Sequence, residues 1–301
     1  MEEDIVIDSR LKDLLDVLRD QHIGHVMRTN TLDDERWTLK KIVDRVKELG
    51  ESGVNDLRRL LAPGSTSDLF INLGAAQALA ALEDAGSLGL VIYQAAVLWD
   101  RCVEKGGGLD ATIHDFLTVA KKLIPIALKN GPLPEGVIKA LTIFTEGIID
   151  SHSGGYIFET AAVTGHPQLK EALMKAAYQS RYKGLLQDSR DDWELRAAAL
   201  FALRHFPDMQ ASMLEAMDHP REAFARAAAR AMVEMLGILK DCREWNFDLW
   251  KEQAMEKVPP ELKPKIGKGL MQKLRGELVY DRRQFFFWDA CRDVHYRVRR
   301  P

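Results

Sequence analysis

Apolar residues recur at helical spacing along almost the whole chain. Leu11, Leu14, Leu15 and Leu18 share one face of a helix predicted over 5–18. A polar link over 28–33 follows. The period resumes with Trp37, Ile42, Val43, Val46 and Leu49, and Gly50 is the stop. A short helix over 54–61 ends at Pro63-Gly64, a strong breaker. Residues 65–67 offer N-cap side chains for the next helix, which runs to about Leu82. Beyond Gly86 and Gly89, the residues Val91, Ile92, Ala95, Ala96, Leu98 and Trp99 mark a buried helix too short for a bilayer. Gly106-Gly107-Gly108 reads as a joint. Helical patterns return over 110–128, with a kink at Pro125, and over 137–149. Ser151-His152-Ser153-Gly154-Gly155 reads as a break, and 168–187 as one long amphipathic helix. Two hairpins follow, 191–204 with 209–217 and 221–239 with 245–255. Pro207 and Pro220 suit their short connections. No stretch alternates as a strand should, and only 156–163 is ambiguous.

The most regular feature lies in these hairpins. Arg196-Ala197-Ala198-Ala199 and Arg226-Ala227-Ala228-Ala229 repeat the same four residues thirty positions apart, each inside a helical stretch. A fixed period of this size is the signature of stacked helical units, each covering its neighbour's apolar face. Gly74-Ala75-Ala76-Gln77-Ala78-Leu79 lies near four periods upstream and supplies the small side chains that let helices approach closely.

The stretch Asp191-Asp192-Trp193-Glu194-Leu195-Arg196-Ala197-Ala198-Ala199-Leu200-Phe201-Ala202-Leu203 resembles a HEAT-like repeat of the short, phycobilisome-lyase type. Such a unit begins with acidic residues, continues with an apolar-Arg pair and runs into an Ala-rich helix ending in Ala-Leu. Leu195-Arg196 and Ala202-Leu203 occupy those places. The next unit keeps Arg226 and the alanines but has Ala225 where Val or Leu is usual, and Arg230 within the apolar half. The resemblance covers 188–239 well and 67–99 loosely. It implies a curved scaffold for binding other macromolecules. One HEAT-like enzyme class, the di-iron deoxyhypusine hydroxylases, needs His-Glu pairs on successive repeats, and the chain has no His-Glu dipeptide. Another, the HEAT-like alkylpurine DNA glycosylases, is similar in setting Trp and Asp near basic helices. Trp193 with Asp191 or Asp192 imitates part of that arrangement.

Composition narrows the picture. An apolar content of 46% provides ample core for a folded chain, and a net charge of −3 excludes a global field drawing the molecule onto polyanions. The three cysteines are too sparse for a disulfide framework, so reduced thiols and a cytoplasmic location are expected. The acidic start, Met1-Glu2-Glu3-Asp4, lacks the order of a signal peptide. No phosphate-cradling Gly-rich motif, no metal-ligand spacing and no nucleophile elbow is present, so no catalytic residue, metal or other cofactor is expected.

The fold expected is all-α: an α-solenoid of HEAT-like helical hairpins with an aromatic, basic C-terminal cap. Its parts are an N-terminal helical region over 1–105, hairpin repeats over 109–257 and a C-terminal extension over 258–301. Arg196 and Arg226 occupy equivalent places and form a ladder, extended by Arg204 and Arg230. With Trp193 these are the expected partner-binding residues. The bland alternative pairs each Arg with acids of the adjacent unit. In the tail, Arg282, Arg283, Trp288, Arg292 and Arg297 are the candidate nucleic-acid contacts, since Arg serves phosphates and aromatics stack on bases. The tail's aromatics equally suit a cover for the open end of the array. The expected function is a non-catalytic protein-binding scaffold or adaptor working through the concave face, away from membranes. The alternative is a nucleic-acid-binding protein, extending to a DNA glycosylase-like repair enzyme, using the Arg-rich C-terminal half.

Overall fold

The structure is a computed structural model and describes residues 7–26, 32–65, 68–105, 111–148, 151–181, 189–238 and 254–271. Every regular element among them is helical. The chain forms two compact units, Met1–Ala140 and Leu141–Pro301. The joint expected at Gly106–Gly108 lies outside the described residues.

The first unit contains α1 (Ser9–Val26), α2 (Leu32–Leu49), α3 (Glu51–Leu61), α4 (Leu69–Ala81), a short 3₁₀ turn at Ala85–Ser87, α5 (Leu88–Lys105) and α6 (Ala111–Asn130). Helix α4 packs against α1, α2, α3 and α6. It is apolar nearly all round, as a helix enclosed by others must be. Its small residues make that enclosure feasible. A methyl group at Gly74 would stand 3.0 Å from Leu18 Cδ2 of α1. Polar contacts hold the ends of these helices. Asp8 accepts the Leu11 amide at 2.9 Å, closing the start of α1, and Arg45 of α2 grips both of its oxygens at 3.1 and 2.8 Å. These bonds, Arg45 first and Leu11 next, hold the Asp8 carboxyl below its ordinary pKa.

Two expectations need correction here. The start of α4 is closed by Asp68, whose carboxylate accepts the Phe70 amide at 2.8 Å, not by the hydroxyls of 65–67. Asp68 wins because it directly precedes the first helical residue. Trp37 does not join the apolar row of α2. The buried row is Glu35, Thr38, Ile42, Val43 and Val46, and Trp37, one step round the helix, is 58% exposed. Its ring lies 5.5 and 5.4 Å from the ammonium groups of Lys40 and Lys41.

Helix α7 (Glu135–Gly147) leads into the second unit, which contains α8 (Ser151–Ala162), α9 (Pro167–Tyr178), α10 (Arg190–Ala202), 3₁₀ turns at Leu203–His205 and Pro207–Met209, α11 (Gln210–Ala216), α12 (Glu222–Met235) and α13 (Lys263–Met271). Helix α10 packs on α8, α9 and α12, and α12 packs on α11 and α13. The two Arg-Ala-Ala-Ala segments therefore lie on neighbouring helices. Ser189 starts α10 by accepting the Asp192 amide at 3.3 Å. Pro264 sits in the first turn of α13, where its missing N–H costs nothing. Residues 272–301, with Arg282, Arg283, Trp288, Arg292 and Arg297, lie outside the described residues, as does 239–253.

The break expected over 151–155 is instead the opening of α8. Gly154 and Gly155 are buried there, on the helix that packs against α10. A methyl group at Gly154 would lie 2.5 Å from Leu195 Cδ1 and 3.3 Å from the Phe158 ring. Close helix contact, not chain reversal, is what Gly154 serves. Gly154→Ala is therefore expected to lower stability by about 1 kcal/mol. Overpacking of about 1–3 kcal/mol outweighs the roughly 1 kcal/mol gained in helix propensity. Urea titration checks the sign: a stabilised variant would show that Leu195 moves aside freely.

Candidate functional site

The expected site residues Trp193, Arg196, Arg204, Arg226 and Arg230 all fall in α10, α12 and the turn between α10 and α11. They do not form one exposed ladder. Arg226 is half-buried. The others divide into two clusters with different surroundings.

The first cluster is built on Arg204. Its side chain is only 8% exposed and ties α8 to α12 across the end of α10. One edge of the guanidinium donates to both oxygens of Glu159, Nη2 at 3.1 Å, while Nε donates to Glu234 at 2.6 Å. Nη1 also donates to the Phe201 carbonyl at 3.1 Å, and the plane lies 3.9 Å from the Phe201 ring centre. Burial alone would lower the Arg204 pKa. The charges and hydrogen bonds of Glu159 and Glu234 outweigh it and raise the pKa above the ordinary arginine value. Arg230 shares the same ring, 4.9 Å from its centre, and approaches Glu234 at 3.8 Å. His205 meets Glu159 at 3.2 Å. Arg204 and Glu234 are themselves thirty residues apart, so the period that repeats the alanines also brings this pair together.

The second cluster gathers where α9 ends, α10 begins and α12 begins. Trp193 is 91% buried: its ring lies 4.8 Å from His219 and, edge-on, 5.8 Å from Phe224. Tyr178, the last residue of α9, meets Phe224 edge-on at 5.8 Å. The Arg196 guanidinium lies over the indole, 3.7 Å from its centre. Its Nε donates to the Ala177 carbonyl at 3.0 Å and Nη2 to that of Tyr178 at 3.4 Å, while Nη1 is 3.8 Å from Asp192. Arg196 thus closes the C-terminal end of α9, where unbonded carbonyls and the negative end of the helix dipole favour a cation.

Arg221, 5.4 Å from the same indole centre, is exposed and has no ion-pair partner among the described residues. The Arg221 amide donates to His219 Nδ1 at 3.1 Å, which places the ring proton on Nε2. Burial first, then the charges of Arg196 and Arg221, hold the His219 pKa below its ordinary value, so the ring is neutral at neutral pH. Tyr178 has its pKa raised by burial and by Glu215.

Sequence reasoning selected Trp193 and Arg196 but missed Tyr178, His219 and Arg221. The signal for His219 was present in His219-Pro220, which reads as a helix boundary and is one. Its proximity to Trp193 depends on how successive helices pack. The same holds for Glu159, whose partner is 45 residues away.

Elsewhere, a cleft of about 290 Å³ in the first unit is lined by Asn72, Tyr93, Gln94 and Arg101 among others. Its two buried amides are used structurally. Asn72 donates to Gln94 at 3.4 Å, and Gln94 donates to the Leu61 carbonyl at the end of α3, at 3.0 Å. Among the described residues no group of three His, Cys, Asp or Glu side chains is placed to hold a metal ion, and no helix is long and apolar enough to cross a membrane. Comparison of the chain with protein-family models, with curated proteins and with solved structures finds no match.

Proposed function

We propose that the protein is a non-catalytic, protein-binding scaffold, with its contact surface on the second unit, where HEAT-like hairpins stack side by side. The carrying observation is an exposed apolar patch beside the Trp193 cluster. Met174 and Tyr178 stand one helical turn apart on α9 and are both exposed, Tyr178 at 42%. Tyr178 continues inward to Phe224, Trp193 and His219. An aromatic surface of this kind, anchored on a buried ring system and rimmed by charge, is the usual composition of a protein contact. The stacked reading is supported by α10 lying between α8 and α12, and by the thirty-residue pairing of Arg204 with Glu234. Arg196, Arg204 and Arg230 are engaged with carbonyls, carboxylates and rings of their own unit, which favours a protein partner over a phosphate backbone.

The test is affinity capture with the full chain, followed by titration with the purified partner. Truncating an interface anchor costs about 2 kcal/mol, or about 30-fold in Kd. Tyr178→Ala combined with Met174→Ala is expected to weaken the complex at least that much while leaving the circular-dichroism spectrum unchanged. Unaltered affinity would remove this surface from the proposal. Catalytic turnover by the pure protein without a stable partner would remove the scaffold reading.

A further inference from the structure

We infer that the cleft of the first unit binds a short acidic segment of a partner polypeptide. A glutamate or aspartate carboxylate rests on Arg101, and the backbone of the segment runs along α5 toward Gln94 and Tyr93. The inference extends the protein-binding reading to a second site, which shares no residue with the Trp193 cluster.

The cleft is built from three helices. Leu69 and Asn72, one turn apart, line it from α4. Gln94, Val97, Leu98 and Arg101 line it from α5, at the i, i+3, i+4 and i+7 spacing that shares one helix face. The turn after α3 adds Ala62 and Ser65, with the Ser65 amide donating to the Ala62 carbonyl at 3.1 Å. Asn72 and Gln94 are 5% and 8% exposed. Their hydrogen bonds tie α4 to α5 and α5 to the last carbonyl of α3, so the cleft holds its shape without a ligand.

The charge of the lining selects an acid. It carries one cation and no carboxylate. Arg101 is exposed and has no ion-pair partner among the described residues, although Asp100 and Glu104 lie close to it along α5. Its guanidinium keeps its charge and its donors for a ligand, and a carboxylate accepts two of them side by side. Tyr93 is 36% exposed, and its hydroxyl has no hydrogen-bond partner among the described residues.

Length selects a peptide over a simple anion. Gln94 and Arg101 are seven residues apart on α5, about 10 Å along the helix axis. An ion held at Arg101 would leave the rest of the cleft empty. An extended chain advances about 3.3 Å per residue, so about three residues span the distance. A volume of about 290 Å³ suits a ligand of that size. Amide and hydroxyl side chains set among Leu69, Val97 and Leu98 match a backbone that presents donors and acceptors between its side chains. A nucleic-acid backbone would require several cations where the lining supplies one.

The chain has six tyrosines, so fluorine NMR on the full chain labelled with 3-fluorotyrosine follows the cleft once Tyr93→Phe has assigned its resonance. The probes are a blocked five-residue peptide with a central glutamate among alanines, its glutamine counterpart, free glutamate, inorganic phosphate and a short single-stranded DNA. The acidic peptide is expected to shift the Tyr93 resonance and to bind about fivefold tighter than the glutamine peptide, since a charge-assisted hydrogen bond replaces a neutral one. Arg101→Gln, at an exposed position, is expected to erase that preference without lowering the melting temperature, and Arg101→Lys to keep part of it. Equal binding of the two peptides, binding that leaves the Tyr93 resonance in place, or no binding by any probe would each overturn the inference. So would saturation by free glutamate, phosphate or DNA at the same or a lower concentration than the peptide. Tyr178→Ala with Met174→Ala is expected to leave the affinity for the peptide unchanged, so the two surfaces stand or fall separately.

Discussion

Arg204→Ala is expected to destabilise the second unit by about 3–5 kcal/mol, the cost of removing one partner from a buried charge network. The arginine neutralises Glu159 and Glu234 together, and its guanidinium also bonds the Phe201 carbonyl and covers the Phe201 ring. Without it, Glu159 keeps His205 at 3.2 Å and Glu234 keeps the 3.8 Å approach of Arg230, but both lose the guanidinium they share. Two enclosed carboxylates would then lose their common counter-charge. They would protonate or drive α8 and α12 apart. Urea unfolding of the wild type and of the variant measures the loss. A second comparison separates charge from packing. Glu159→Leu with Arg204→Leu removes one charge of each sign and leaves Glu234 with Arg230 at 3.8 Å; it is expected to recover about half of the stability lost in Arg204→Ala, because only one carboxylate has then lost its guanidinium. A loss below about 1 kcal/mol in the single variant would mean that water reaches this network freely and that it does not hold the helices.

Gly269→Leu is expected to cost about 2–3 kcal/mol, the range for forcing side-chain volume into a filled contact. A methyl group at Gly269 would already stand 2.7 Å from Ala229 Cβ and 3.2 Å from the Ala225 carbonyl oxygen. Neither atom can rotate away, since one is the whole side chain and the other is helix backbone. The alanines at 225 and 229, one turn apart on α12, form the seat for α13, and Gly269 is the knob small enough to reach it. The larger side chain must lift α13, exposing its buried Ile266 and Leu270. Hydrogen exchange resolves the outcome. Amides over 263–271 should lose protection first, with α8 and α10 changing little. Uniform loss across the unit would instead show that α13 is an integral part of the core.

The repeated Arg-Ala-Ala-Ala segments show where local reading works and where it stops. Helix existence was legible almost everywhere, because a 3.6-residue apolar period is a property of adjacent residues. The alanines were legible as contact residues, and α10 does pack on α12. The role of the arginines was not. Arg196 turned out to close a helix end and lie on an indole, and Arg204 to join two glutamates 75 residues apart in the chain. Both functions depend on which foreign groups the packing delivers. The glycines at 154 and 155 misled for a related reason. In isolation they favour a chain break, and only the proximity of Leu195 makes Gly154 suitable inside a helix. Tyr178, His219 and Arg221 escaped notice because nothing in their own segments joins them to Trp193.

The sequence by itself determined that this protein is built of helices, where most of them start and stop, and which small residues lie at their contacts. These are consequences of backbone propensity and of side-chain spacing within one or two turns, so neighbours along the chain suffice to decide them. The tertiary structure alone decided which charges are enclosed, which aromatic rings meet, and that Arg221 stands exposed while the Trp193 indole N–H is enclosed without an acceptor among the described residues. Those outcomes depend on desolvation and on distances between groups tens of residues apart, and no local pattern encodes either.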